Sequence, residues 1–476
     1  MMTPSDIVNK SVPYEGLTMY RIADVAVVDP RDGTVTPHQD VRIADGRIAG
    51  IGATDGPDGD PTTVDGRGRF VVPGFVDMHA HPLNLADPAH ELELMLAFGV
   101  TGYRQMSGAP GRARPAVDDR TPRLLATPGS VLTPLNAGKP DTAVAEVRRQ
   151  AEAGADFIKA ALITPEVYLA VQAEADRLGL PVVGHLPAGI DPRAASDAGF
   201  RSIEHIGPGL GVLSGCSCHE DHRAPAASPI KAPPFPIPFA DKIAERLLRR
   251  IVVNPAQLTS PAALDSIRAT IDGFDEDKAR ELARHFAAND TWNCPTLIRI
   301  KAQQFCDDPA FATDPDLRYT TVKERKTWNA AAAAFRKKFT EAQRAVFADQ
   351  FEFQLRMVKI LDEEGAPLLA GTDAVGAAWV VAGASLHDEF DLFADAGLGP
   401  VRILRSATLD PARFLRREHE AGTVDVGKEA DLVLLDADPT AAVANLHAVS
   451  GVVRAGRHHD TGALSALKER ATGRRG

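Results

Sequence analysis

Eight short apolar runs, spaced by stretches of helical composition, constrain this chain more than any other feature. They fall at residues 71–79, 99–106, 122–127, 156–161, 181–185, 201–206, 293–297 and 367–372. Alternation of strand-like and helix-like segments points to parallel strands joined by crossover helices. Helix starts are visible in Thr164-Pro165, Asp191-Pro192 and Asp410-Pro411, each an N-capping residue followed by proline in the first helical position. Residues 275–288 and 321–364 are charged, alanine-rich and helix-like. Eight strand–helix units predict an α/β fold, a (β/α)8 TIM barrel, whose active site lies at the C-terminal ends of its strands.

Both chain ends follow a different grammar. Residues 18–70 read as short strands and turns, with a hairpin signal at Asp45-Gly46. Residues 418–460 repeat that pattern in "GTVDVGKEADLVLLDADP" and "VSGVVRAGR". Neither end holds enough residues for a sizeable core. Together they predict a small β-sandwich domain, 18–70 plus 418–460, with the metal-dependent barrel of 71–417 inserted between them. One connection is too long for a plain barrel. After the sixth run comes an insertion at about 207–270, part of it the proline-rich "APAASPIKAPPFPIPFA". Long ordered loops are uncommon unless functional. Following a strand's C-terminal end, this one reads as a lid or wall of the pocket, with a decorative insertion as the alternative.

Composition narrows the partners. The chain has 476 residues, 44% hydrophobic and 25% charged, which is ordinary for a soluble globular protein. A formal net charge of −11 repels nucleic acid and anionic membranes, so neither is expected as a partner. The basic end, Lys468 to Arg475, reads as a frayed, solvated tail. No run approaches the ~18 apolar residues of a membrane span. The first twenty residues lack the apolar core of a signal peptide, so a cytoplasmic location is expected. Four cysteines are too few for a disulfide framework in a chain this long.

The polar residues that end the runs carry the chemistry. His79 and His81 stand in "VVPGFVDMHAH". Residues i and i+2 of a strand face the same side, so both imidazoles can reach one point, and imidazole suits zinc and similar metals. Lys159, in "GADFIKAAL", is flanked by apolar residues. Burying it as an unpaired cation is costly. It therefore snorkels to solvent, pairs with a carboxylate, or is chemically altered and binds metal. His185 in "PVVGHLP" and His205 in "RSIEHIG" each end a run in consecutive units, and Asp373 ends the eighth in "PLLAGTDA". A carboxylate there is expensive unless paired or metal-bound, and it can serve as general base. In a barrel these ends converge on one small region.

The pattern His-x-His, Lys, His, His, Asp on consecutive strands resembles the amidohydrolase superfamily. So do "VVPGFVDMHAH", "GTVDVGKEADLVLLDADP" and "LHDEFDLFADAGLGPVRILRSATLDPARFL". The likeness is to the imidazolonepropionase-related branch, which includes metal-dependent prolidases, other dipeptidases and ochratoxin-hydrolysing enzymes. The resemblance runs from about residue 18 to 460. It implies two divalent ions, zinc being the expected metal. His79, His81 and Asp373 would hold the more buried ion, His185 and His205 the other, and carboxylated Lys159 would bridge them. The implied activity is cleavage of an amide bond in a dipeptide, N-acyl amino acid or ochratoxin-like amide. A hydroxide bridging the metals would attack, with Asp373 moving the proton. The competing expectations are cyclic amide hydrolysis or deamination and, outside enzymes, a metal-bearing scaffold. The expected partners are a small-molecule substrate and further copies of the chain in a homo-oligomer.

Other features carry two readings each. "GCSCHEDH" sets Cys216, Cys218, His219 and His222 close together, either as an extra zinc site or as plain loop, with His219 or His222 able to touch substrate. His387 and Glu389 either orient ligands or simply begin the last barrel helix, and His387 is also a candidate substrate contact. Arg104 either clamps a substrate carboxylate or forms a salt bridge. Trp292 and Trp328 read as packing.

Overall fold

The computed structural model describes residues 19–53, 63–108, 118–207, 209–218 and 252–473. Its strands in chain order are β1 (Tyr20–Val28), β2 (Val35–Ala44), β3 (Arg47–Ala53), β4 (Thr63–Asp65), β5 (Phe70–Pro73), β6 (Phe75–Ala80), β7 (Val100–Gln105), β8 (Arg123–Ala126), β9 (Ile158–Ala160), β10 (Val182–Gly184), β11 (Phe200–Glu204), β12 (Trp292–Cys294), β13 (Leu432–Leu435), β14 (Val449–Arg454) and β15 (Arg457–Asp460).

Strands from both chain ends share one mixed sheet in the order β15-β14-β13-β5-β1-β2-β3, with β4 beside β1. The β2–β3 hairpin turns at Asp45 and Gly46, whose φ values of 52° and 73° are the left-handed pair that a type I′ turn requires. The pleat lets this sheet serve two cores. Val71, Leu432 and Leu434 pack with Ile22, Val41 and Ile48 in a small cluster. Their neighbours Val72 and Val433 point the other way, into the main core with Phe75 and Val100. Burying each such side chain stabilises the fold by ~1.5–3 kcal/mol.

The middle of the chain forms two parallel sheets, β6-β7-β8 and β9-β10-β11-β12. Single parallel bridges extend them. Pro128 pairs with Phe157, Asn293 with Leu368, and Ala80 with Ala374. The eighth apolar run thus makes bridges rather than a continuous strand. Its ladder is interrupted because Thr372 and Asp373 both turn their amides onto one carbonyl, His79 O, at 3.2 and 2.7 Å.

Some expectations from sequence need correction. Thr164 and Asp191 do cap their helices, through Val167 N and Arg193 N. Asp410 does not: its helix begins at Leu409, and its carboxylate is taken by Arg402 and Arg405 instead. The stretch 321–364 is two helices, Val322–Lys338 and Glu341–Glu363, because Thr340 leaves the helical path and caps the second through Gln343 N. The basic end is not a loose tail as far as Gly473. It forms the helix Thr461–Gly473, which sets Lys468 Nζ 3.9 Å from the Phe98 ring centroid and pairs Arg470 with Glu93. Within the insertion, the helix Pro261–Asp272 is ordered against the main core through Leu264 and Ile267. No helix among the described residues is long and apolar enough to cross a membrane.

Candidate metal centre

Six sequence-predicted residues stand at C-terminal strand ends. His79 lies in β6 and His81 just after it, Lys159 in β9, His185 and His205 one residue past β10 and β11, and Asp373 just past the eighth run. Packing brings them together. His79 Nε2 is 3.2 Å and His81 Nε2 2.8 Å from Asp373 Oδ1. Lys159 Nζ is 3.1 Å from His79 Nε2. The His205 ring centroid lies 4.6 Å from that of His79 and 5.2 Å from that of His185. Among the described residues, His79, His205 and Asp373 offer ligand atoms within 4.8 Å of one another.

The rings are oriented from behind. His79 Nδ1 donates to Glu204 Oε2 at 2.7 Å, His205 Nδ1 sits 2.6 Å from Thr296 Oγ1, and His81 Nδ1 lies 2.8 Å from Ser107 Oγ. Thr296 Oγ1 itself donates to Pro295 O, so His205 Nδ1 is the donor of that pair. Committing Nδ1 outward leaves Nε2 as the free nitrogen, which is how histidines that hold metal are commonly prepared. His185 Nδ1 is buried with no hydrogen-bond partner, an orphan that a cation would satisfy. A donor set of imidazoles and a carboxylate is one that divalent metals accept.

Burial tunes the charges. Desolvation lowers the imidazole pKa values, to about 4 for His81 and about 3 for His185, and pushes His205 well below its usual range. It also lowers the Lys159 amine. The imidazoles are thereby kept neutral and able to act as ligands. For Glu204, burial works against charge, but Arg104 and His79 outweigh it and hold the carboxyl down to about 2. Asp373 is anchored on its far oxygen, where Arg299 Nε stands 3.0 Å from Oδ2. Gly371 allows this crowding: a Cβ there would lie 2.7 Å from Cys294 Sγ and 2.9 Å from His79 N.

The amidohydrolase family pattern matches residues 353–458. Over nearly the whole chain, the fold is similar to a bottromycin amidohydrolase, at 28% identity and a TM-score of 0.68, covering 96% of this chain and 91% of that one. The chain is similar to the amidohydrolase superfamily, in sequence over residues 353–458 and in fold over nearly its whole length. A Xaa-Pro dipeptidase with bound methionine (18% identity, TM-score 0.59, 93% of this chain and 100% of that one) and the ochratoxinase of A. niger (15%, 0.58, 93% and 96%) share the fold. The imidazolonepropionase of Micrococcus luteus is 37% identical over 105 residues, 22% of this chain. The match spans only about a quarter of that curated relative, 26% of its length.

The remaining candidates among the described residues fall away from the cluster or behind it. Arg104 is fully buried, donating from Nε to Met78 O at 2.6 Å and from Nη2 to Glu204 Oε1 at 2.8 Å. The salt-bridge alternative is the one observed. His387 packs among Phe75, Phe98 and Phe390 and lies 2.8 Å from Phe98 O. Trp292 and Trp328 pack against Phe414 and Trp379. Cys216 is buried and Cys218 exposed, while His219 and His222 lie outside the described residues. Sequence reading missed Glu204, Thr296, Arg299 and Ser107. Only Glu204 left a trace: it shares a strand face with Ser202, whose hydroxyl donates to it at 2.7 Å.

Proposed function

We propose that this protein is a binuclear metal-dependent hydrolase of amide bonds, with zinc as its metal. We read the two parallel sheets and the eighth run as one closed (β/α)8 barrel, with 18–70 and 418–460 as a separate small β domain. The parallel bridges at Phe157, Leu368 and Ala374 support closure. One observation carries the metal reading: imidazole nitrogens whose other ring atoms are taken by Glu204, Thr296 and Ser107 surround one carboxylate and one lysine.

In this reading His79, His81 and Asp373 would hold one ion, His185 and His205 would hold the other, and Lys159 as its carbamate would serve as a ligand to both. Bound divalent ions supply a Lewis acid for the carbonyl and make water acidic enough to attack near neutral pH. Carbamate formation joins the lysine nitrogen to carbon dioxide and releases one proton, so it needs a neutral amine. The lowered basicity of buried Lys159 supports that step. Asp373 takes the proton of the attacking water and passes it to the leaving amine. Arg299, on Oδ2, keeps that carboxylate oriented until then.

The substrate class we favour is an open-chain amide: a dipeptide, an N-acyl amino acid or an ochratoxin-like amide. The whole-chain likeness to a protein named as an amidohydrolase supports an amide substrate. Opening of a cyclic amide, or deamination, is the second reading, supported by segments similar to imidazolonepropionases and an adenine deaminase. We also propose a homo-oligomer, to be tested by sedimentation. The substrate test is a panel of N-acyl amino acids, Xaa-Pro dipeptides and lactams. Metal-dependent release of free amino acid supports the first reading. Ring opening or ammonia release favours the second. No metal-dependent product from any of them would count against both.

A further inference from the structure

The helix Leu297–Gln304 starts in an unusual way. Its N-cap, Thr296, has φ 48°, a left-handed conformation that is strained for a β-branched residue, and makes no side-chain capping bond. A threonine in this position ordinarily turns its hydroxyl back onto the first free amides of the helix. Here the hydroxyl is diverted: it accepts from His205 Nδ1 at 2.6 Å and donates to Pro295 O at 2.7 Å. The amides are capped from another helix. Glu389, on Ala384–Asp395, accepts from Leu297 N through Oε1 at 2.9 Å and from Ile298 N through Oε2 at 2.8 Å. Its side chain is fully buried.

Two contacts to the metal centre hang on this one turn. Thr296 precedes it and orients His205. Arg299, two residues after Leu297, reaches Asp373 Oδ2 at 3.0 Å and Val252 O at 2.6 Å. A carboxyl group whose two oxygens grip both amides fixes the turn's position and rotation, and with them both contacts. It also lets Thr296 keep its hydroxyl on the imidazole.

We infer that Glu389 is a positioning residue for the metal centre, acting through the helix start it caps to set His205 and Asp373. The inference rests on the metal reading above. Its role is to replace the cap that Thr296 gives up.

The test is zinc affinity, measured by chelator competition on folded protein. Wild type is compared with Glu389→Ala, Glu389→Gln and Leu392→Ala, the last removing a buried side chain from the same helix without touching the cap. Loss of a residue that orients ligands typically costs 10–100-fold in metal affinity. Glu389→Ala should therefore weaken zinc binding by about 10-fold or more. Glu389→Gln, which keeps one acceptor oxygen, should fall in between, and Leu392→Ala should bind as wild type does. An unchanged affinity in Glu389→Ala, or an equal loss in Leu392→Ala, would overturn the inference. Should Glu389→Ala not fold, Glu389→Asp carries the test, since its shorter side chain cannot span both amides. Weakened zinc binding supports the inference and wild-type affinity overturns it. A wild-type chain that binds no zinc would instead overturn the metal reading, and this inference with it.

Discussion

Glu204 stands directly behind His79, its Oε2 2.7 Å from the imidazole Nδ1, with both side chains fully buried. The same carboxylate is held from the other side by Arg104 Nη2 at 2.8 Å. The pair fixes which nitrogen of His79 faces the site. It also means that a guanidinium lies in the core with this carboxylate as its counter-charge.

Removing Glu204 should therefore cost more than removing an exposed acid. Breaking a buried pair on one side typically costs ~3–5 kcal/mol, because the remaining charge is left uncompensated. Glu204→Ala should lower unfolding free energy by about that much in urea titrations. Glu204→Gln, which keeps a hydrogen-bonding oxygen, should lose less stability but still weaken zinc binding about 10-fold or more. A Glu204→Gln protein with undiminished zinc affinity would show that His79 needs no orienting anion.

Gly371→Ala tests the crowding beneath the site. The new methyl would meet Cys294 Sγ at 2.7 Å and the His79 backbone nitrogen at 2.9 Å. Backbone cannot give way as a flexible side chain does. Overpacking of this kind costs ~1–3 kcal/mol. The same variant should bind zinc more weakly, since the displaced backbone carries His79. Urea unfolding and zinc competition on one sample check both, and a neutral result in both would refute the close approach.

His387 makes stability depend on pH. Burial lowers its pKa to about 3, with Nδ1 unpartnered and Nε2 on Phe98 O. The unfolded chain takes up this proton near pH 6.5, while the folded chain resists until about pH 3. Stability from this group is therefore complete above pH 6.5 and declines as pH falls toward 3. Between pH 7.5 and 5 the loss should be on the order of 2 kcal/mol. In His387→Phe, that part of the pH dependence should vanish. Urea unfolding at the two pH values measures it, and equal losses in variant and wild type would exclude His387 as the source.

Much of the site was legible because strand geometry repeats every two residues. His79 and His81 share a face, and His185, His205 and Asp373 recur where apolar runs stop. What escaped were groups whose role depends on distant partners. Arg299 sits on a helix after β12, yet its partner Asp373 follows a different run. Thr296 looks like an ordinary cap until its left-handed backbone turns the hydroxyl toward His205. Arg104 shows the same limit in reverse. Its position at a strand end left a substrate contact and a salt bridge equally open, because Glu204, which claims it, lies 100 residues away in sequence. The two chain ends were readable as β structure, while the shared register of β5 with β13 follows from contacts across some 360 residues of intervening chain.

The most direct test of the account follows turnover as zinc is returned to the metal-free protein in the presence of bicarbonate. An N-acyl amino acid or Xaa-Pro dipeptide from the panel serves as substrate, with bound metal counted on the same samples. Release of the free amine should be absent without metal and should rise to a plateau at two zinc ions per chain. Lys159→Ala should bind less metal and reach no such plateau, and Asp373→Asn should bind zinc yet lose most turnover. Full amine release from the metal-free chain, or from Asp373→Asn, would contradict the account.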